Sequence, residues 1–308
     1  MENTTVRTLL GPGLYDWLEA SYLAPDFDRT DANSLAAELL RLVQAPIARL
    51  GTAAGLAGHQ VSISGTGVHI MTTETSKTAF QWQVNQLRAT LERRGQSDLD
   101  TLLQWLEDHR EVSVPLQGWA GSAAGQRHRR ELFTHTLDFQ EYENISASRP
   151  VFLGLGPVRR RLESFEVGRV LGADFLQELR DQVRTRTLTS DNENLLRTYV
   201  YPALASLTIG HAIPELGLKL AGDGIELTIA RVDDANAKEA DAGLDQLLRN
   251  KMNEALMTGA RHLRRLTTYL DSTASASRFA TYFGSSAYTK PAPAEPRNLP
   301  TTRVYRLF

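Results

Sequence analysis

The 308-residue chain contains no cysteine, which excludes disulfide frameworks, thiol nucleophiles and cysteine-ligated zinc. No excess of one charge sign is present either: 34 lysines and arginines stand against 36 acidic residues, for a net charge of −2. A dedicated nucleic-acid binder concentrates basic surface, so only a local basic patch remains open. No window approaches the ~20 consecutive apolar residues of a membrane helix, and the opening Met1-Glu2-Asn3-Thr4-Thr5 lacks the basic and apolar regions of an export signal. The chain is expected to act away from membranes, in the cytoplasm or in a particle assembled there.

Catalytic signatures are missing too. There is no phosphate-binding glycine loop with its lysine, no nucleophile elbow and no His-Glu-x-x-His helix. The seven histidines are scattered from His59 to His262, none paired at the i, i+4 spacing of a helical metal site. Gly154-Leu155-Gly156-Pro157 reads as a turn. Asp233-Asp234 and Glu239-Asp241 read as acidic residues favoured at a helix start. No enzyme activity, cofactor or metal is expected.

What is present is self-similarity, in four ordered blocks. Leu10-Gly11, Leu14 and Leu18 match Leu171-Gly172, Phe175 and Leu179, each a Leu-Gly start followed by helical apolar spacing. Leu39-Leu40-Arg41 and Pro46 match Leu195-Leu196-Arg197 and Pro202, which predicts a proline kink in both central helices. Val61–Ile70 and Leu218–Leu227 alternate about Gly65-Thr66-Gly67 and Gly222-Asp223-Gly224, the pattern of a hairpin with one apolar face resting on its helices. Gly95, Leu99, Leu102, Trp105 and Leu106 match Gly259, Leu263, Leu266, Tyr269 and Leu270 at constant offset. There the glycine is expected to break the helix, with Ser97 or Asp98 capping the next one.

The expected fold is therefore mainly α: two tandem helical units, each with a small β-hairpin, arising by internal duplication. The units span 1–110 and 148–272, joined by a connector over 111–147 and followed by an extended arm over 273–308. In the connector Gln126–Asn144 reads as a charged helix with Leu132, Phe133, Leu137 and Phe139 on an imperfect apolar face. Ser148–Val170 reads as a helix entering the second unit, with Phe152, Leu153, Val158, Leu162 and Phe165 at packing spacings.

The arm is rich in serine, alanine and threonine, then in proline over 290–296, and such a run favours extended polyproline II. Its end, with Val304, Tyr305, Leu307 and Phe308, suits addition to the sheet edge of another subunit. Two basic clusters, Arg127-His128-Arg129-Arg130 and Arg159-Arg160-Arg161, read as solvated helix faces. Either could also meet an acidic subunit face or a phosphate backbone. Arg127, Arg129 and Arg130 thus join the arm residues as candidate subunit-interface positions.

Pro202 to Gly217 with the hairpin ending at Leu227, their first-copy counterparts, and Ser148-Arg149-Pro150-Val151-Phe152-Leu153 resemble a family of this length encoded in prophages and phage-derived particle clusters. The resemblance covers the chain to about Asp271. More distantly, each unit resembles the helical head–tail connector (adaptor) proteins that form a ring beneath a phage portal; those are single units, whereas two plus an arm occur here. The resemblance implies a virion or phage-tail-like particle protein, a ring-forming neck or connector. Its partners would be copies of itself and portal or tail proteins, with DNA passing through without sequence-specific binding. The alternative is a pseudo-symmetric enzyme or binding protein with a small-molecule site between the units.

Overall fold

A computed structural model describes residues 2–59, 61–64, 67–70, 80–216, 218–221, 224–227 and 242–291, with side chains described for 2–56, 80–216 and 246–291. The chain is mainly helical. A π-helical turn, Glu2–Val6, leads into α1 (Arg7–Leu23), followed by α2 (Leu35–His59), strands β1 (Val61–Ser64) and β2 (Gly67–Ile70), and α3 (Gln81–Asp108). The short helices α4 (Val114–Gly121), α5 (Ala123–His128) and α6 (Thr136–Gln140) come next. After them stand α7 (Arg149–Gly154), α8 (Gly156–Leu162), a π-turn at Glu163–Val167, α9 (Gly168–Leu171), α10 (Ala173–Thr185) and α11 (Ser190–Leu195). A further π-turn, Leu196–Val200, precedes α12 (Tyr201–Leu216), β3 (Leu218–Ala221), β4 (Gly224–Leu227), α13 (Ala242–Thr273) and α14 (Ala280–Phe283). β1 pairs antiparallel with β2, Val61 opposite Ile70, and β3 with β4, Leu218 opposite Leu227. The faces of these strands concern side chains outside the described residues.

Two apolar cores form. In the first, Leu10, Leu14 and Leu18 of α1 meet Leu39 and Val43 of α2 and Leu102, Leu103 and Leu106 of α3, closed by Leu116 and Trp119 of α4. The second gathers α7 to α14 and also takes Leu132, Phe133, Phe139 and Ile145. The expected connector is therefore divided between the two cores, because its apolar residues are too many to leave in water. Nor does it hold one helix over Gln126–Asn144: α5 ends at His128 and only Thr136–Gln140 is helical beyond it. Leu137, expected on the apolar face, is 58% exposed. The segment 148–170 is helical in short pieces, with Phe152, Val158 and Leu162 buried but Leu153 and Phe165 exposed.

Gly11 and Gly172 take nearly the same backbone angles, φ 70°, ψ 163° and φ 78°, ψ 153°. A side chain rarely tolerates that conformation, so each glycine bends the chain where its leucine-bearing helix begins. The other paired glycines do not break their helices; α3 runs unbroken through Gly95 and α13 through Gly259. Here the missing side chain is a packing device: a Cβ on Gly95 would stand 2.6 Å from Leu50 Cγ, and one on Gly259 2.5 Å from Leu207 Cγ. Asp98 caps nothing and instead pairs with Arg49 of α2.

These two contacts also correct the register. With Leu50 level with Leu207, Pro46 lies level with Ala203, one residue from Pro202, and the hairpins fall in step. The two prolines also stand in different settings: α2 continues through Pro46, while Pro202 follows a π-turn in which Tyr201 N–H bonds to Leu196 O. A π-turn adds a residue to a helix, and α2 has no such turn.

The first part of the expected arm is packed and not extended. Beyond α13, Phe279 is 7% exposed and Tyr282 fully buried, its hydroxyl donating to Asp271 Oδ1 at 2.8 Å. Aromatic side chains inside a serine- and alanine-rich stretch draw residues up to Tyr288 onto the second core.

Candidate functional site

Where the two cores meet, Glu107 near the end of α3 is 3% exposed and flanked by two arginines. Arg129 donates from Nε at 3.0 Å and from a terminal nitrogen at 2.8 Å, while Arg186 donates two bonds of 2.8 Å. Arg129 also reaches Val183 O at 3.1 Å. Arg186 caps α10 in the left-handed region, φ 63°, which turns its fork back toward α3. Burial alone would push the Glu107 carboxyl up, but hydrogen bonds from Arg186 and Arg129 hold it down to about 2. One carboxylate thus ties α3, the segment after α5 and the end of α10.

His128 and His135 lie beside this triad, ring centres 5.8 Å apart. Burial, then the nearby charge of His135 and Arg149, pushes His128 down to about 4, so it is neutral at physiological pH. Arg149 bonds Asp100 of α3 at 2.5 Å. Over these groups a cleft of about 420 Å3 opens between the two cores, lined among others by Thr8, Gln96, His128, Arg149 and Arg159.

The two basic clusters, 30 residues apart in sequence, come together in space. Arg127, Arg130 and Arg160 share a second cleft of about 490 Å3 with Arg180 and Arg184 of α10. Arg159 is buried, bonded to Glu131 at 2.6 Å and laid over the Phe152 ring at 4.1 Å, while Arg160 takes the other oxygen of Glu131 at 2.8 Å. Glu163, 1% exposed, accepts from the Leu132 amide at 3.0 Å and from Arg180 at 2.6 Å; burial nonetheless pushes its carboxyl up.

Of the sequence-derived candidates, Arg127 and Arg130 are exposed, whereas Arg129 is turned inward onto Glu107. Val304, Tyr305, Leu307 and Phe308 lie outside the described residues, as do Asp233, Asp234, Glu239 and Asp241. Sequence reasoning missed Glu107, Arg186 and the histidine pair. A lone glutamate among the leucines of an amphipathic helix was the available signal for the first; nothing local marks the others. Among the described residues no group of three or more histidines and carboxylates is placed to hold a metal ion, and no helix is long and apolar enough to cross a membrane.

The fold and junction define a mainly helical protein with two cores joined through ion pairs to a buried carboxylate. The chain belongs to a family of unknown function (DUF6712), whose pattern matches residues 6–118 and 167–292. No curated protein and no solved structure matches it.

Proposed function

We propose that the chain is two copies of one helical unit fused in tandem, and that it is a structural or assembly protein of a phage virion or phage-tail-like particle. The observation that carries the duplication is the repeated glycine contact, Gly95 on Leu50 and Gly259 on Leu207. The bent Gly11 and Gly172 and a family pattern that falls in both halves support it. On this reading the protein is a ring-forming neck or head–tail connector, assembled in the bacterial cytoplasm. Its mechanism is geometric: units pack side by side, and the segment beyond Lys290 latches a neighbour through Val304, Tyr305, Leu307 and Phe308. Six fused copies would present twelve similar faces and so bridge rings of different symmetry. Portal or tail proteins are the partners, and DNA passes without sequence-specific contacts.

Sedimentation velocity of the full chain and of a chain ending at Lys290 tests this reading. A closed oligomer that is lost on truncation is expected; oligomerisation indifferent to the truncation sinks the latch, and a monomer at high concentration sinks the ring.

The second reading, a small-molecule binding protein or enzyme with its site between the units, is favoured by the cleft of about 420 Å3 at that place. Two of its charged groups, Arg149 and Arg159, are already matched by Asp100 and Glu131, which leaves less convergent polarity for a ligand than such sites carry.

A further inference from the structure

The geometry points to the arginine cleft between α5, α8 and α10 as a binding site for a phosphate-bearing polyanion. It stands whether or not the chain forms a ring. Six of the thirteen residues lining this cleft are arginines, against three carboxylates. Those carboxylates are already engaged: Glu131 is shared by Arg159 and Arg160, Glu163 is matched by Arg180, and Asp181 by Arg184. Arg129 shares Glu107 with Arg186. Arg127 and Arg130 have no acidic or hydrogen-bonding partner among the described residues, so the cleft carries a surplus of positive charge.

Two further features narrow the ligand. Arg180 is held in place by Glu163 and by Ser164 Oγ at 3.0 Å, so it meets an incoming anion with little ordering left to do. Planar guanidinium forks in such numbers match oxyanions with several charged oxygens, and a phosphate presents more of these than a carboxylate does. The lining contains no aromatic side chain, hence no platform on which a base stacks. Recognition is therefore of phosphates, blind to the identity of any base. The ligand is either a free polyphosphate or the backbone of a nucleic acid.

Both sources are tested on the full chain by calorimetry with inorganic tripolyphosphate and by fluorescence anisotropy with labelled duplex DNA of two unrelated sequences. At least one probe is expected to bind. R127A/R130A is expected to weaken that binding by about tenfold or more and to flatten the plot of log affinity against log salt by about 2, near 0.9 for each lost phosphate contact on DNA. Both side chains are exposed and unpaired, so the thermal midpoint should not move. R264A/R265A, removing two exposed arginines of α13 that line a separate cleft, should leave affinity within about twofold. Tripolyphosphate binding lost in R127A/R130A assigns a free polyphosphate; loss of DNA binding alone, equal for both sequences, assigns a nucleic-acid backbone. The proposal is overturned if neither probe binds, if the two double variants weaken binding alike, or if poly-glutamate binds as tightly as either probe.

Discussion

The buried Glu107 holds two partly buried guanidinium groups at 2.8–3.0 Å, and removing one member of such a triad strands the rest. E107Q should cost about 3–5 kcal/mol in denaturant unfolding, whereas replacing all three residues by apolar side chains of similar volume should recover most of that. The triad also sets an acid limit. A carboxyl held to about 2 against an ordinary 4.5 contributes stability that is complete above about pH 4.5 and is lost as pH falls toward 2. His128, kept neutral by a value of about 4 against 6.5, contributes stability that is complete above pH 6.5 and lost on the way down to 4. Each is worth on the order of 3 kcal/mol at full effect, so stability should fall in two successive steps as a pH series descends from 7. His135 is pushed down by burial as well, so H128Q should shrink the upper step without abolishing it and leave the lower one; a flat profile between pH 7 and 4 would count against the buried neutral histidines. Little of this was legible beforehand. Arg127, Arg129 and Arg130 read as one cluster in the sequence, yet α5 stops at His128 and sends Arg129 inward while its neighbours stay in solvent.

The elements whose apolar residues recur at helical spacing were the readable ones. Leu14 and Leu18 of α1, and Leu99, Leu102 and Leu106 of α3, are buried as that spacing requires. Glycine was misread because its two uses look alike in a sequence: a break at Gly11, a close helix crossing at Gly95. The difference gives opposite signs to one substitution. G51A lies on the open face of α2, where a Cβ meets nothing within 4 Å, and should stabilise by about 0.5–1 kcal/mol through helix propensity. G95A gains the same propensity but drives a methyl into Leu50, and should destabilise by about 1–3 kcal/mol. G259A against Leu207 should behave as G95A does. Adding L50A should make G95A less harmful than it is alone, a coupling that a double-mutant cycle in urea measures directly. The short helices α4 to α6 were unreadable for a different reason: with five to eight residues each, they are held by tertiary contacts rather than by local preference.

At the scale of the whole molecule, the two cores were foreseeable from length and repetition, but their borders were not, because border residues are chosen by what they can reach. Leu116 and Trp119 join the first core, Phe133 and Phe139 the second, and Tyr282 closes the second from beyond α13. A chain ending at Thr273 should therefore lose cooperative unfolding of its second unit, since deleting buried Phe279 and Tyr282 costs about 3–5 kcal/mol for each aromatic. A chain ending at Pro291 should melt like the full protein, and near-UV circular dichroism distinguishes the two outcomes. Assembly is the claim on which the functional account turns, and native mass spectrometry of the intact chain over a range of concentrations reads it most directly. A single closed species with a fixed number of subunits is predicted; a monomer that persists at the highest concentration, or an open series of sizes, would contradict it.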